Sequence, residues 1–288
     1  MASVQVLTLY RFTMTSPFNE LRQAALQLLA LSEPEHKVAQ TLALQQSFVD
    51  GFTRLDVNVV YAVPASMQIP GRPLKPQLVP PLQVQRRTMR TLEGRAVLLH
   101  ALCHIEFNAI NLALDAIWRF PGMPDGYYSD WLKVAAEEAY HFSLLSQHLL
   151  TLGFAYGDFP GHDTLWEMVA KTQEDVLARM ALVPRTMEAR GLDAAPSTRN
   201  KLAQVHDMAG AAIIDIILRD EIGHVAIGNH WFGYLCAQQH LEPIACYADL
   251  AKRYAAPKLR APFNLDARRA AGFSEAELQA LQQVSAPH

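Results

Sequence analysis

Two short segments of this 288-residue chain look alike. Glu137-Glu138-Ala139-Tyr140-His141-Phe142 and Asp220-Glu221-Ile222-Gly223-His224-Val225 both read acid-Glu-x-x-His-apolar. Residues i and i+3 of a helix lie about 60° apart around its axis, so Glu and His project from one face and offer a metal ion one oxygen and one nitrogen. A single Glu-x-x-His arises often by chance and is commonly a solvated pair. Here there are two, and each is preceded by a further Glu at nearly equal distance. Glu106 stands 32 residues before Glu138, and Glu188 stands 33 before Glu221. One Glu from each of two helices, with Glu-x-x-His from two others, is the ligand set of a carboxylate-bridged two-metal site in a helix bundle. The candidate ligands are therefore Glu106, Glu138, His141, Glu188, Glu221 and His224.

Their neighbours are apolar. Glu106 lies among Leu102, Ile105, Phe107 and Ile110, and Glu221 follows Ile213, Ile214, Ile216, Ile217 and Leu218. A bare carboxylate on a buried helix costs several kcal/mol unless it is paired or metal-bound. Converging carboxylates also repel, and two divalent cations remove that repulsion. The competing explanation is salt bridging to Arg119, Arg179, Arg185 or Arg219. Iron suits a mixed carboxylate and imidazole site, with manganese its main rival. Glu137 and Asp220 are placed to orient the ligating histidines from behind, because such histidines donate their second N–H to an acceptor. His104, two residues from Glu106, points elsewhere and reads as a supporting or core histidine. His148 lies about 10 Å along the axis from His141, too far for the same ion. Cys103, one turn before Glu106, reads as a small core residue, and Tyr128, Trp131 and Tyr140 as packing residues.

Four long helices must carry these ligands. Residues 88–119 hold no proline and stop at the breaker cluster Pro121-Gly122-Met123-Pro124-Asp125-Gly126. Ser129 or Asp130 is the expected cap of a second helix ending near Leu152. A third is expected over 163–190, kinked at Pro184 and stopped by Gly191. Asp207 is the expected N-cap of a fourth, 208–238. The midpoint of Glu106 and Glu138 is residue 122, so a hairpin turning there sets both carboxylates at one height. In the second half, residues 192–207, with a short helix after Pro196, must climb back along the bundle. Two short helical patterns occupy 17–50. Residues 62–81 contain six prolines and form an extended wrapping loop. The tail 243–288 adds one or two short helices around Ala261-Pro262-Phe263-Asn264. The expected organisation is one domain, 1–288: N-terminal helices and proline-rich loop (1–87), four-helix bundle (88–240) and C-terminal extension (241–288).

Half of the residues are apolar, 18% are charged and the net charge is −3, a globular balance with no general pull toward nucleic acid or anionic membrane. Three cysteines, Cys103, Cys236 and Cys246, form no CxxC pair and fit a reducing, cytoplasmic compartment. Met1-Ala2-Ser3-Val4 does not open a signal peptide, and no run of about 18 uninterrupted apolar residues predicts a membrane span.

The chain resembles the DUF455 group of bacterial ferritin-like proteins. The matching stretches are His104-Ile105-Glu106, Asp130-Trp131-Leu132, Glu138-Ala139-Tyr140-His141-Phe142, Tyr156-Gly157-Asp158-Phe159-Pro160, Val183-Pro184-Arg185, Glu188-Ala189-Arg190-Gly191-Leu192-Asp193 and Asp220-Glu221-Ile222-Gly223-His224-Val225. The likeness runs from about residue 15 to 275. It implies an all-α, ferritin-like four-helix bundle with N-terminal and C-terminal helical and loop extensions. A more distant likeness, to the di-iron tRNA hydroxylase that acts on methylthio-isopentenyl adenosine, lies in the same Glu, Glu-x-x-His, Glu-Ala-Arg, Glu-x-x-His order. Asn111 stands where those relatives often carry an acid, and five residues after Glu106 it falls on another helix face.

The function expected first is an O2-dependent di-iron oxidoreductase or hydroxylase. A ferroxidase or peroxide-handling bundle without an organic substrate is the second, and a non-catalytic scaffold with a structural metal the third. The expected partners are a small-molecule substrate or O2 or peroxide, an electron donor, and a second copy of the chain in a homodimer. A tRNA partner would use the basic clusters Arg86, Arg87, Arg90, Arg95 and Lys252, Arg253, Lys258, Arg260, which are more often solvated faces.

Overall fold

The computed structural model describes residues 18–84 and 87–284 and is an all-α helical bundle. Arg86 of the first basic cluster lies outside the described residues. The helix α1 (Leu21–Leu29) packs on α3 (Leu92–Arg119), and α2 (Pro34–Val49) packs on α4 (Asp125–Thr151). Thr91 caps α3 through Gly94 N (3.0 Å), with Glu93 in the first turn and Arg119 in the last, signs that suit the helix dipole. The buried Arg22 of α1 donates to Ile117 O and Trp118 O at the other end, which covers carbonyls that the helix itself leaves open.

The α3–α4 hairpin turns at the expected breakers. Gly122 has φ +77°, a conformation that favours glycine, and the buried Tyr128 hydroxyl donates to Phe120 O and accepts from Met123 N. The helix α4 begins at Asp125, before either expected cap. Ser129 instead donates back to Gly126 O (3.0 Å) within the helix, and Asp130 accepts the Trp231 indole N–H (2.9 Å). Both residues therefore serve other contacts.

The third helix differs most from expectation. It is split into α5 (Thr164–Lys171) and α6 (Val176–Leu182), followed by a π turn, Val183–Glu188, that runs into α7 (Ala189–Gln204). Asp175 restarts the chain as the N-cap of α6, accepting from Ala178 N. Pro184, which lacks an N–H, yields a π turn rather than a plain kink, and Thr186 donates its hydroxyl to Ala181 O. Gly191 does not stop the helix, which continues through Pro196. The carbonyl that Pro196 leaves without an intrahelical donor, Leu192 O, accepts from Asn264 Nδ2 (3.2 Å).

Helix α8 (Met208–Gln238) has Asp207 as its N-cap, accepting from Gly210 N (2.9 Å), as the sequence predicts. It packs along α7, α4 and α6. The tail forms three helices, α9 (Pro243–Arg253), α10 (Leu265–Ala270) and α11 (Glu275–Val284), more than expected. The proline-rich segment does wrap the bundle. Gly71 N bonds Leu29 O, while Val79 N and Gly161 N exchange bonds with Gly161 O and Gln77 O. A Cβ on Gly71 would lie 2.2 Å from Ala30 O, so only glycine allows this approach.

Among the described residues one helix, α3, is long and apolar enough to cross a membrane, but 72% of its most apolar window is buried within the fold. Its apolar faces are used by α1 and α4.

Candidate metal centre

Helices α4 and α8 run antiparallel in one constant register. Asp130 meets Trp231, Glu137 meets His224, and His141 meets Asp220. Each pair steps seven and then four residues along both helices in opposite directions, so the two Glu-x-x-His segments face each other. The α3–α4 hairpin supplies Glu106, and the π turn supplies Glu188, its last residue. Midway between Glu188 and Glu221 the chain is between Gln204 and Val205, at the end of α7. The second half is thus a hairpin like the first.

All six predicted ligands are buried. Glu106, Glu138, His141 and Glu221 each offer one ligand atom within 4.8 Å of the others. Glu138 lies between the two histidines, with Oε1 at 2.9 Å from His224 Nδ1 and Oε2 at 3.4 Å from His141 Nδ1. His141 Nδ1 is also 3.4 Å from Glu106 Oε2, and His224 Nδ1 is 3.6 Å from Glu221 Oε1. Both Nδ1 atoms, both oxygens of Glu138 and of Glu188, Glu106 Oε2 and Glu221 Oε2 are buried without a hydrogen-bond partner among the described residues. Buried oxygens and nitrogens this close together, without aligned hydrogen bonds, form a cluster that could hold a metal ion.

The outer nitrogens are held from behind. His224 Nε2 is 2.9 Å from Glu137 Oε2, and His141 Nε2 is 3.1 Å from Asp220 Oδ2. Each histidine is therefore oriented by an acid on the opposite helix, which leaves its Nδ1 turned inward. His104 is not brought to the cluster. It accepts at Nδ1 from the Tyr156 hydroxyl (2.9 Å) and donates at Nε2 to His162 O (3.0 Å). Cys103 is fully buried, and burial together with Glu106 pushes its thiol up.

The four arginines that might have neutralised these acids are committed elsewhere. Arg119 and Arg179 both bind Asp115, Arg185 binds Glu277, and Arg219 binds Asp220. Burial and the mutual repulsion of the acids show instead in their raised pKa values. Burial, then the Glu138 charge, raises Glu106 well above the usual carboxylate range. Burial, then Glu221, does the same for Glu188, and burial with Glu138 raises Glu221. Against its own burial, Glu138 is held low by the charge of His224 and by the adjacent His141 and Glu106. Against theirs, His141 is raised to about 11 by Glu106 and Glu138, and His224 is raised well up by Glu138 and Glu137. Oxygen and imidazole donors of this kind suit a transition metal, which would compete with protons for them.

Sequence reasoning did not find what positions Glu188. Pro184 of the π turn packs on Gly228, where a Cβ would lie 2.5 Å from Pro184 Cβ. Arg185 stacks among Phe232, Tyr247 and Phe273 while it binds Glu277 of α11. The available signal was Gly228 standing one turn after His224. The expected C-terminal extension also latches this region, because Arg268 binds Asp193 and donates to Ala189 O.

A family model described as a protein of unknown function, DUF455, matches residues 30–279. The chain belongs to the DUF455 family. This DUF455 chain is 42% identical over 278 residues to an uncharacterized protein of Haemophilus influenzae, covering 94% of the chain and 96% of the relative. No solved structure matches it. In this DUF455 chain the matched segment contains all six ligand-type residues and both acids behind the histidines.

Proposed function

We propose that the protein is a ferritin-like, di-metal carboxylate oxidoreductase, with two irons held by Glu106, Glu138, His141, Glu188, Glu221 and His224, acting on a small-molecule substrate with O2 and an external electron donor. The observation that carries this reading is the convergence of unpartnered Glu oxygens and two inward Nδ1 atoms around Glu138. When bound, the metal pair supplies the electrons and Lewis acidity that O2 chemistry needs.

The chain supplies the rest. Glu138 serves both halves of the site through its two oxygens. Glu137 and Asp220 keep a proton on each outer Nε2 and so leave Nδ1 free to ligate. Ile110, one helical turn after Glu106, is a fully buried member of the core and helps to keep water from that side of the cluster. The three free cysteines suit a reducing, cytoplasmic setting.

The test is O2 uptake by anaerobically reconstituted, ferrous protein. Wild type should consume O2 rapidly, and a Glu138→Ala/Glu221→Ala variant should match free iron. Equal uptake by both would remove the oxidoreductase reading.

A further inference from the structure

A second polar feature lies on the other side of α3. Asn108, Asn111 and His104 project about 140–160° around that helix from Glu106. With Arg72 and the prolines of the wrapping loop they line a partly open cavity of about 60 Å³. This is several times the space that one ordered water needs.

The charge around it does not balance. Lys37 is fully buried, and its ammonium donates to Leu29 O (3.1 Å), Gly71 O (3.4 Å) and Asn111 Oδ1. No carboxylate among the described residues lies within ion-pair reach of it. Arg72 is paired with Asp163 through two N–H groups, which leaves three of its five donors. Because Lys37 holds Asn111 Oδ1, the Asn111 amide is fixed. Its Nδ2 makes no hydrogen bond to any described residue, although the side chain is 1% exposed and lines the cavity. His104 is bonded at both of its nitrogens, to the Tyr156 hydroxyl and to His162 O.

We propose that this cavity binds a small organic carboxylate, its oxygens meeting Arg72 and Asn111 Nδ2 and its short stem lying against Pro70, Pro73, Leu78 and Phe107. The carboxylate would supply the negative charge that Lys37 lacks one side chain away. The lowering of Lys37 to about 7, by burial first and Arg72 second, expresses the same imbalance. Apolar walls favour a carboxylate with a stem over inorganic phosphate. The site stands apart from the metal centre and does not depend on the function assigned to it.

The test is calorimetric titration of the full chain with acetate and propionate, with phosphate and chloride beside them. Wild type should bind a carboxylate saturably and more tightly than phosphate. Asn111→Asp should weaken that binding at least about tenfold. Its thermal midpoint should equal or exceed that of wild type, because the new carboxylate pairs Lys37. Asn111→Leu, without the donor, should lose binding as well. Should both variants be less stable than wild type, contacts from labelled acetate to Phe107 and Leu78 in the wild-type NMR spectrum decide the matter. Absence of saturable carboxylate binding, tighter binding of phosphate, unchanged binding by Asn111→Asp, or absence of those contacts would each overturn the proposal.

Discussion

Glu137 on α4 and His224 on α8 meet at 2.9 Å, and one helical turn away the relationship is reversed, with Asp220 on α8 holding His141 on α4. Each helix thus supplies a candidate ligand histidine and the acid that orients the other helix's histidine. This exchange ties the register of two helices to the aim of two Nδ1 atoms.

Glu137→Ala and Asp220→Ala should each weaken metal binding by about 10–100-fold while leaving the helical content unchanged. Competition against a chelator of known affinity measures this. Affinity unchanged in both variants would mean that the acids only decorate the surface.

Metal uptake should release protons. Without a metal, Glu106, Glu188, Glu221, His141 and His224 all have pKa values raised from their ordinary ranges, so each holds its proton more firmly than the free side chain does. A metal must compete with those protons, so affinity should fall as the pH is lowered from mildly alkaline to mildly acidic. Titration of metal into weakly buffered protein, with a pH indicator, reads the protons directly. A pH-independent affinity with no proton release would contradict these shifts.

Gly228→Ala should push Pro184 away from α8 and displace Glu188. The expected result is a stability loss of about 1–3 kcal/mol, the usual range for overpacking, together with reduced metal content. Denaturant unfolding and elemental analysis of the same sample test the two halves. Full metal content in a destabilised variant would separate Gly228 from the site.

Asp115→Ala removes the acid shared by the buried Arg179 and the partly buried Arg119. Leaving Arg179 unpaired should cost about 3–5 kcal/mol. The folded fraction should keep its metal, because Asp115 takes no part in the cluster.

The first hairpin and the cap at Asp207 were legible because a breaker cluster and an Asp side chain act locally. The six candidate ligands, all buried in the structure, were picked out from spacing for the same reason, since three residues on a helix fix a common face. The π turn and the unbroken α7 were not legible. Gly191 and Pro196 carry local stop signals that distant residues override, Asn264 by serving the Leu192 carbonyl and α8 by packing along α7. Reading Gly191 as a stop hid the symmetry of the second hairpin, whose turn lies midway between Glu188 and Glu221. The salt-bridge alternative was open in the sequence because the pairing of Arg179 with Asp115 and of Arg185 with Glu277 is set by tertiary packing, although Arg119 with Asp115 and Arg219 with Asp220 are local pairs.

The central claim is tested most directly by elemental analysis of protein purified from iron-supplemented cells, beside the Glu138→Ala/Glu221→Ala variant. The account predicts about two irons per chain in wild type, as a carboxylate-bridged site requires, and their loss in the variant. No transition metal in wild type, with the variant equally stable, would contradict it.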